Sequence, residues 1–323
     1  MNIDINNKHI VRYIANHQTG QDVVPIAGDA SGRRFFRVGP GTGSSLVIMD
    51  YGGPFEDPTD DMILTQIFQD AGLPVADIVH IGYEGGFLVL EDLGERTLED
   101  RLAEAPGAAP ELYHRAVELA IQLAGAGTAA LARSPRALSP ALDEERFRFE
   151  MEYFLEHYYC GFLGNRTDDT HFQPLKRYVL DLAIQAGAVT PAVLCHRDFH
   201  SRNLIVAEHG RLSMVDIQDG RRGPLGYDLA SLLWDAYVDI DHPTRQEMIR
   251  RFKEKTVAGD DFQDSLEVLA VQRMVKALGT FGYQISVMGR ERYRSAIPRT
   301  IRNIRELAGN IAALDPVIDK SVP

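Results

Sequence analysis

Up to Leu90, apolar positions come in short runs broken by Gly, Pro and Asp. Residues 23–26 (VVPI), 35–38 (FFRV), 46–49 (LVIM) and 87–90 (FLVL) predict β-strands. One helical pattern interrupts them over residues 59–70, with Met62, Ile63, Ile67 and Phe68 on one face. Gly72 and Pro74 end it. Beyond Leu90 the period changes. Thr97 opens a helix, and Asp100 follows at capping-box spacing. Helical patterns continue near 110–133, 143–158, 172–187, 227–239, 243–256, 262–280 and 291–308. The expected architecture is α+β and bilobal. Residues 1–92 form a small β-rich N-lobe with one main helix. A hinge lies near 90–96, and residues 93–323 form a larger, mostly helical C-lobe.

The main β feature of the second half is a predicted hairpin. "NLIVAE" (203–208) and "RLSMVDI" (211–217) flank His209-Gly210, which reads as a two-residue turn. That turn pairs Glu208 with Arg211 and puts Asn203 opposite Asp216. Asp198 lies on the loop feeding the first strand. Hard oxygen donors gathered at one point suit Mg²⁺, which takes one or two protein carboxylates beside phosphate oxygens.

Composition narrows the setting. The chain has 323 residues, 45% of them hydrophobic and 25% charged, with a formal net charge of −12. An acidic surface repels phosphate backbones, so no nucleic-acid partner is expected. The start, "MNIDINNKHI", does not read as a signal peptide. The longest apolar run, 116–132, is interrupted by Glu118 and Gln122 and reads as a buried helix, so no membrane association is expected. Cys160 and Cys195 are too few for a disulfide scaffold and suit a reducing cytoplasm.

"HRDFHSRN" (196–203) followed by "VDIQD" (215–219) resembles the catalytic and metal-binding loops of the protein-kinase-like fold, closest to the aminoglycoside phosphotransferase superfamily. "GPLGYDLASLL" (223–233) is similar to that superfamily's next helix start. "GDASGRRFFRV" (28–38) and "LVIMD" (46–50) resemble a branch of bacterial kinases. These phosphorylate the anomeric hydroxyl of N-acetylmuramate and N-acetylglucosamine in cell-wall recycling. The resemblance spans about residues 20 to 240. It implies an ATP- and Mg²⁺-dependent phosphotransferase, with Asp198 as base, Asn203 and Asp216 as metal ligands, and His196 and Asp228 supporting the loop. Capping alone would also explain Asp228.

Kinases of this fold place a Lys on the third strand, paired with a helix Glu. Here Met49 or Asp50 stands at the Lys position, and the helix offers only Gln66 at its centre. The resembled sugar kinases share this departure. Gly28, Ser31 and Gly32 are expected to bring backbone amides to the nucleotide, and Arg33 or Arg34 to supply the missing charge. Neighbours on a strand face opposite ways, so only one of the two should face the nucleotide. Main-chain groups of Glu91 to Leu93 are expected at the adenine edge, with Leu90 packing beside it.

The short segment between Asp216 and Tyr227 leaves no room for a peptide-docking platform, so no protein substrate is expected. For a small-molecule sugar acceptor, Glu150 and Glu152 on the aromatic-rich helix 145–159 are candidates to bind hydroxyls, and Arg221 and Arg222 to meet an anionic group. Two alternatives stay open. Net acidity suits an aminoglycoside or other aminoalcohol acceptor, and the lost Lys suits a catalytically silent nucleotide-binding regulator.

Overall fold

The computed structural model describes residues 5–17, 22–26, 33–40, 45–56, 58–134, 141–207, 210–309 and 311–318. It begins with α1 (Lys8–His17), β1 (Val23–Ile26), β2 (Arg34–Val38), β3 (Leu46–Asp50), α2 (Asp60–Asp70), β4 (Ile78–Gly82) and β5 (Phe87–Glu91). The strands form one antiparallel sheet in the order β1-β2-β3-β5-β4. Alternation sorts their side chains. Phe36, Val38, Ile48, Phe87 and Val89 share one face, covered by Ile10 and Tyr13 of α1. Phe35, Met49, Leu88 and Leu90 share the other, against Met62 of α2.

Neither α1 nor β4 was expected. The first is short with a narrow apolar stripe, and the second is an edge strand with a bulge between Ile78 and His80. Thr59 caps α2 by accepting the Met62 N–H. Met62 turns toward the sheet, while Leu64, Ile67 and Phe68 join the large core of the helical half. This helix therefore ties the small lobe to the large one.

The C-lobe continues with α3 (Leu98–Glu104), α4 (Ala109–Gln122), α5 (Thr128–Leu131), α6 (Glu144–Phe154), α7 (Phe172–Ala188), β6 (Ala192–Cys195), β7 (Leu204–Val206), β8 (Leu212–Met214) and β9 (Arg221–Pro224). Then come α8 (Tyr227–Leu233), α9 (His242–Lys255), α10 (Phe262–Ser286), α11 (Ile297–Ala308) and α12 (Asp315–Ile318). Thr97 and Asp100 form the expected reciprocal capping box on α3. The 116–132 run lies in α4, a π-helical turn and α5, with Ala116, Val117, Ala120 and Leu123 buried. Among the described residues no helix is long and apolar enough to cross a membrane.

Two expectations are corrected. The hairpin pairs Leu204 with Met214 and Val206 with Leu212, and the Ala207 N–H bonds the Arg211 carbonyl, whereas Glu208 and His209 of the expected turn lie outside the described residues. Gly210 sits at φ 72°, in the left-handed region, and its N–H bonds the Ala207 carbonyl. Val215, not Asp216, therefore stands opposite Asn203. The helix expected over 227–239 stops at Leu233, because Asp235 is turned inward to accept the backbone N–H groups of Ser201 and Tyr237.

Candidate active site

After β6 the chain turns through residues 196–203, and one carboxylate holds the turn. Asp228, in the first turn of α8, accepts the backbone N–H of His196 at 2.7 Å and of Arg197 at 2.9 Å. That pairing lets Arg197 keep φ 82°, a conformation that costs any non-glycine residue energy. Burial pushes the Asp228 carboxyl up to about 6, against the pull of His196 and the two N–H groups. His196 Nε2 donates to the Val215 carbonyl at 2.9 Å, joining this loop to the next.

Asp198 lies at the open end. Arg273 Nη2 (2.8 Å) and Lys276 Nζ (2.9 Å) of α10 both donate to its Oδ1. Oδ2 has no hydrogen-bond partner among the described residues. Burial alone would raise this carboxyl, but Lys276, Arg273 and Arg197 outweigh it and hold it well below the usual carboxylate range. A carboxylate of such low basicity orients a hydroxyl better than it removes a proton early.

Asn203 Nδ2 donates to the Asp198 carbonyl at 3.0 Å, which leaves Oδ1 as its available oxygen. The Val215 N–H bonds the Asn203 carbonyl, and Asp216 then turns at φ 63°, ψ 42°. Burial pushes the Asp216 carboxyl up; the Gln218 amide opposes this, and nearby Asp198 adds to it. Asp198, Asn203 and Asp216 line one cleft with Phe35, His200, Arg273 and Lys276. Among the described residues no group of three or more His, Cys, Asp or Glu side chains could hold a metal. One amide oxygen and one carboxylate instead fit Mg²⁺, which fills its remaining positions with phosphate and water. The raised Asp216 carboxyl, with no ion-pair partner among the described residues, fits a cation there.

Arg33 and Arg34 separate as strand parity requires. Arg33 lies on the cleft side with Phe35 and gives Nη1 to both oxygens of Asp61 at 2.7 Å. Asp61 also accepts from Tyr51 Oη at 2.6 Å. Arg34 faces the other way and pairs with Asp50 at 2.6 Å. Met49 therefore occupies the cleft-side position where a strand Lys would stand, and Gln66 is exposed and bonded to Asp70. The first turn of α2, not its centre, supplies the strand-to-helix ion pair.

The family described as "Phosphotransferase enzyme family" matches residues 22–262. This chain belongs to it. A Pseudomonas aeruginosa protein named N-acetylmuramate/N-acetylglucosamine kinase is 32% identical over 289 residues, 87% of this chain and 82% of that one. A protein of the same name from Neisseria meningitidis is 30% identical, covering 92% of this chain and 88% of its own. Among solved structures, choline kinase LicA from Streptococcus pneumoniae superposes with a TM-score of 0.64 at 15% identity, over 93% of this chain and 98% of that one. A thermostable mutant of aminoglycoside phosphotransferase APH(4)-Ia gives 0.64 at 16%, over 93% and 99%. These two establish the protein-kinase-like fold.

In this phosphotransferase the segment after β5 is tied to the sheet. Arg37 of β2 bonds Asp92 (2.8 Å), Glu95 and the Gly94 carbonyl. The Glu91 N–H is taken by the Asp77 carbonyl, whereas neither main-chain group of Leu93 has a main-chain partner among the described residues. Leu90 packs with Phe35 and Ile78 on the cleft face. Gly28, Ser31 and Gly32 lie outside the described residues.

The residues expected at the acceptor go elsewhere. Glu150 is buried, and its carboxylate is consumed by Arg197 (3.0 Å), Gln272 (3.0 Å) and Arg146 (3.4 Å). Glu152 is exposed. Arg221 folds onto Asp219, and Arg222 is exposed on β9. None of the four lines the cleft. Their helix and strand packs its loop-facing side inward, so the acids and bases there brace or face solvent. Glu150→Ala would remove a buried ion-pair partner of Arg197 and leave it with the half-exposed Asp219 and the more distant Asp198. It is expected to lower the unfolding free energy by about 3–5 kcal/mol in urea titrations, while Glu152→Ala leaves it unchanged.

The cleft wall comes instead from α8, the segment after it, α10 and beyond, including Trp234, Tyr237, Phe281, Gln284, Tyr293 and Thr300. Sequence reasoning missed Arg273, Lys276, Asp61 and Asp235. A signal for the first two was present: they are the only charges in the largely apolar stretch "VLAVQRMVKALGTFG". Two glycines set the depth of that helix. A Cβ at Gly279 would lie 2.9 Å from Phe154 Cα, and one at Gly282 only 2.4 Å from the His157 carbonyl oxygen.

Proposed function

We propose that this phosphotransferase is an ATP- and Mg²⁺-dependent kinase acting on the anomeric hydroxyl of N-acetylmuramate, N-acetylglucosamine or both. The observation that carries the acceptor is the pair of relatives named for those sugars, matched over more than four-fifths of both chains. The cleft supports it. Arg273 and Lys276 in the wall beside Asp198 disfavour a polycationic acceptor such as an aminoglycoside.

In this reading Asp198 Oδ2 takes the acceptor hydroxyl's hydrogen bond. As the new P–O bond forms and the bridging P–O bond breaks, the bond pair leaves with ADP and the hydroxyl proton passes to Asp198, then to solvent. Asn203 Oδ1 and Asp216 hold the cation, which neutralises phosphate charge. Arg33, steadied by Asp61, serves the phosphates in place of the strand Lys. Leu90 and the main chain at Leu93 receive the adenine, with Glu91 contributing only its carbonyl. His196 and Asp228 brace the loop. Lobes of residues 1–92 and 93–323, and a cytoplasmic location, belong to the same reading.

The test is ADP release from Mg-ATP with N-acetylmuramate, N-acetylglucosamine, their 1-O-methyl glycosides and kanamycin. Turnover is expected with the free reducing sugars and not with the methyl glycosides, which lack the reacting hydroxyl. Turnover of kanamycin alone would refute the sugar assignment.

A further inference from the structure

The acid at the centre of the cleft is outnumbered. Arg273 and Lys276 are nearly buried, with side-chain exposures of 11% and 13%, and both contact the same oxygen of Asp198. The other hydrogen bond of the Arg273 guanidinium is to a neutral group, Ser231 Oγ, at 2.9 Å. Among the described residues the Lys276 ammonium has no acceptor besides Asp198. The next carboxylates are already committed, Glu150 to Arg197 and Gln272, and Asp219 to Arg197 and Arg221. Two cations thus share one carboxylate oxygen at the wall of an open cleft, and an uncompensated charge held out of water is costly until an anion joins it.

Resting on the kinase reading above, we propose that Arg273 and Lys276 form a phosphoryl-binding pair. It holds the phosphoryl group's oxygens during transfer and the phosphomonoester product afterwards. Their position beside Asp198 puts them next to the acceptor oxygen, where the transferred group arrives. A pair donating to Oδ1 also turns Oδ2 toward that oxygen. As the acceptor oxygen bonds the γ-phosphorus and the bridging bond pair departs with ADP, negative charge spreads over the phosphoryl oxygens. Two preset cations then stabilise charge that the ground state holds further away. Arg273 and Lys276 are one helical turn apart on one face of α10, and the close seating of Gly279 and Gly282 holds that face still.

The groups facing Lys276 are Arg273 on its own helix, Asp198 and Arg197 on the loop, and Glu150 on α6. Burial and Arg273 bring its ammonium down to about 8, with Asp198 opposing. The Lys276 charge is therefore present below that pH and lost above it, while Arg273 stays charged throughout.

Calorimetry on the full chain with N-acetylglucosamine, N-acetylglucosamine 1-phosphate and inorganic phosphate tests the pair. Wild type is expected to bind the sugar phosphate roughly tenfold or more tighter than the neutral sugar, and Lys276→Met to erase that preference. The same variant should hold the neutral sugar within about threefold of wild type and lose roughly a hundredfold in kcat. Lys276→Arg should restore phosphate binding and move the alkaline limb of kcat upward from near pH 8. A Lys276→Met enzyme keeping its kcat, or losing neutral and phosphorylated sugar alike, overturns the proposal. If wild type binds neither sugar, the acceptor reading falls and inorganic phosphate decides. Phosphate binding lost in Lys276→Met upholds the pair, and no phosphate binding by wild type overturns it.

Discussion

Asp198→Asn is expected to lower kcat by about 10²–10⁴-fold while leaving ATP affinity within a small factor. The substitution keeps shape and still offers an oxygen, but it removes the negative charge that Arg273 and Lys276 grip at 2.8 and 2.9 Å. The acceptor hydroxyl loses its proton acceptor at the same time. Steady-state ADP release gives kcat, and nucleotide titration gives the affinity. The pH profile carries a second expectation. Burial raises the Asp198 carboxyl, yet its three cationic neighbours hold it well below the ordinary carboxylate range. Wild-type kcat/KM should therefore not fall between pH 7 and 5 on account of this group. The depressed carboxyl also contributes stability at neutral pH that is lost only as pH falls through its folded value. Asp198→Asn should accordingly lower the Tm measured at pH 7. An Asn variant working at the wild-type rate would remove Asp198 from the chemistry.

Asp216→Asn is expected to cost about a hundredfold or more in kcat, because charge stabilisation by a bound cation is worth several kcal/mol. The half-saturating Mg²⁺ concentration should rise in parallel. The residue stands in the cleft at φ 63°, held by Gln218 at 2.6 Å and without an ion-pair partner among the described residues. A neutral amide there removes the only carboxylate assigned to the cation. Replacement should relieve the repulsion between Asp216 and Asp198, so the variant should fold at least as well as wild type. Activity lost through unfolding and activity lost through the cation are separated in this way. An unchanged Mg²⁺ requirement would move the cation elsewhere.

Much of the site was legible because it is local. His196, Asp198 and Asn203 fall within one loop, and Asp216 follows after one hairpin. The hairpin register was misread by one residue, since turns of neighbouring length suit the same short sequence. Asp216 still reaches the cleft beside Asn203, because it turns out of the strand. The wall of the cleft was not legible. Helix 145–159 looked chemical from its aromatics and acids, but in the fold Glu150 serves Arg197, and the cleft is built by residues far along the chain. Arg273 and Asp198 are separated by 75 positions, and no local pattern joins them.

The sequence by itself determined the strand and helix periods, the split into a small β-rich and a large helical half, the capping of α3, and the loop that carries Asp198 and Asn203. Each of these depends on residues within a few positions of one another, where backbone sterics and side-chain alternation leave few choices. Only the tertiary structure decided which arginine faces the cleft with an acid to steady it, what Glu150 is for, and that α10 brings two cations to Asp198. Those outcomes depend on how closely whole helices seat against each other, and here two glycines on α10 meeting the backbone of the α6 segment set that distance.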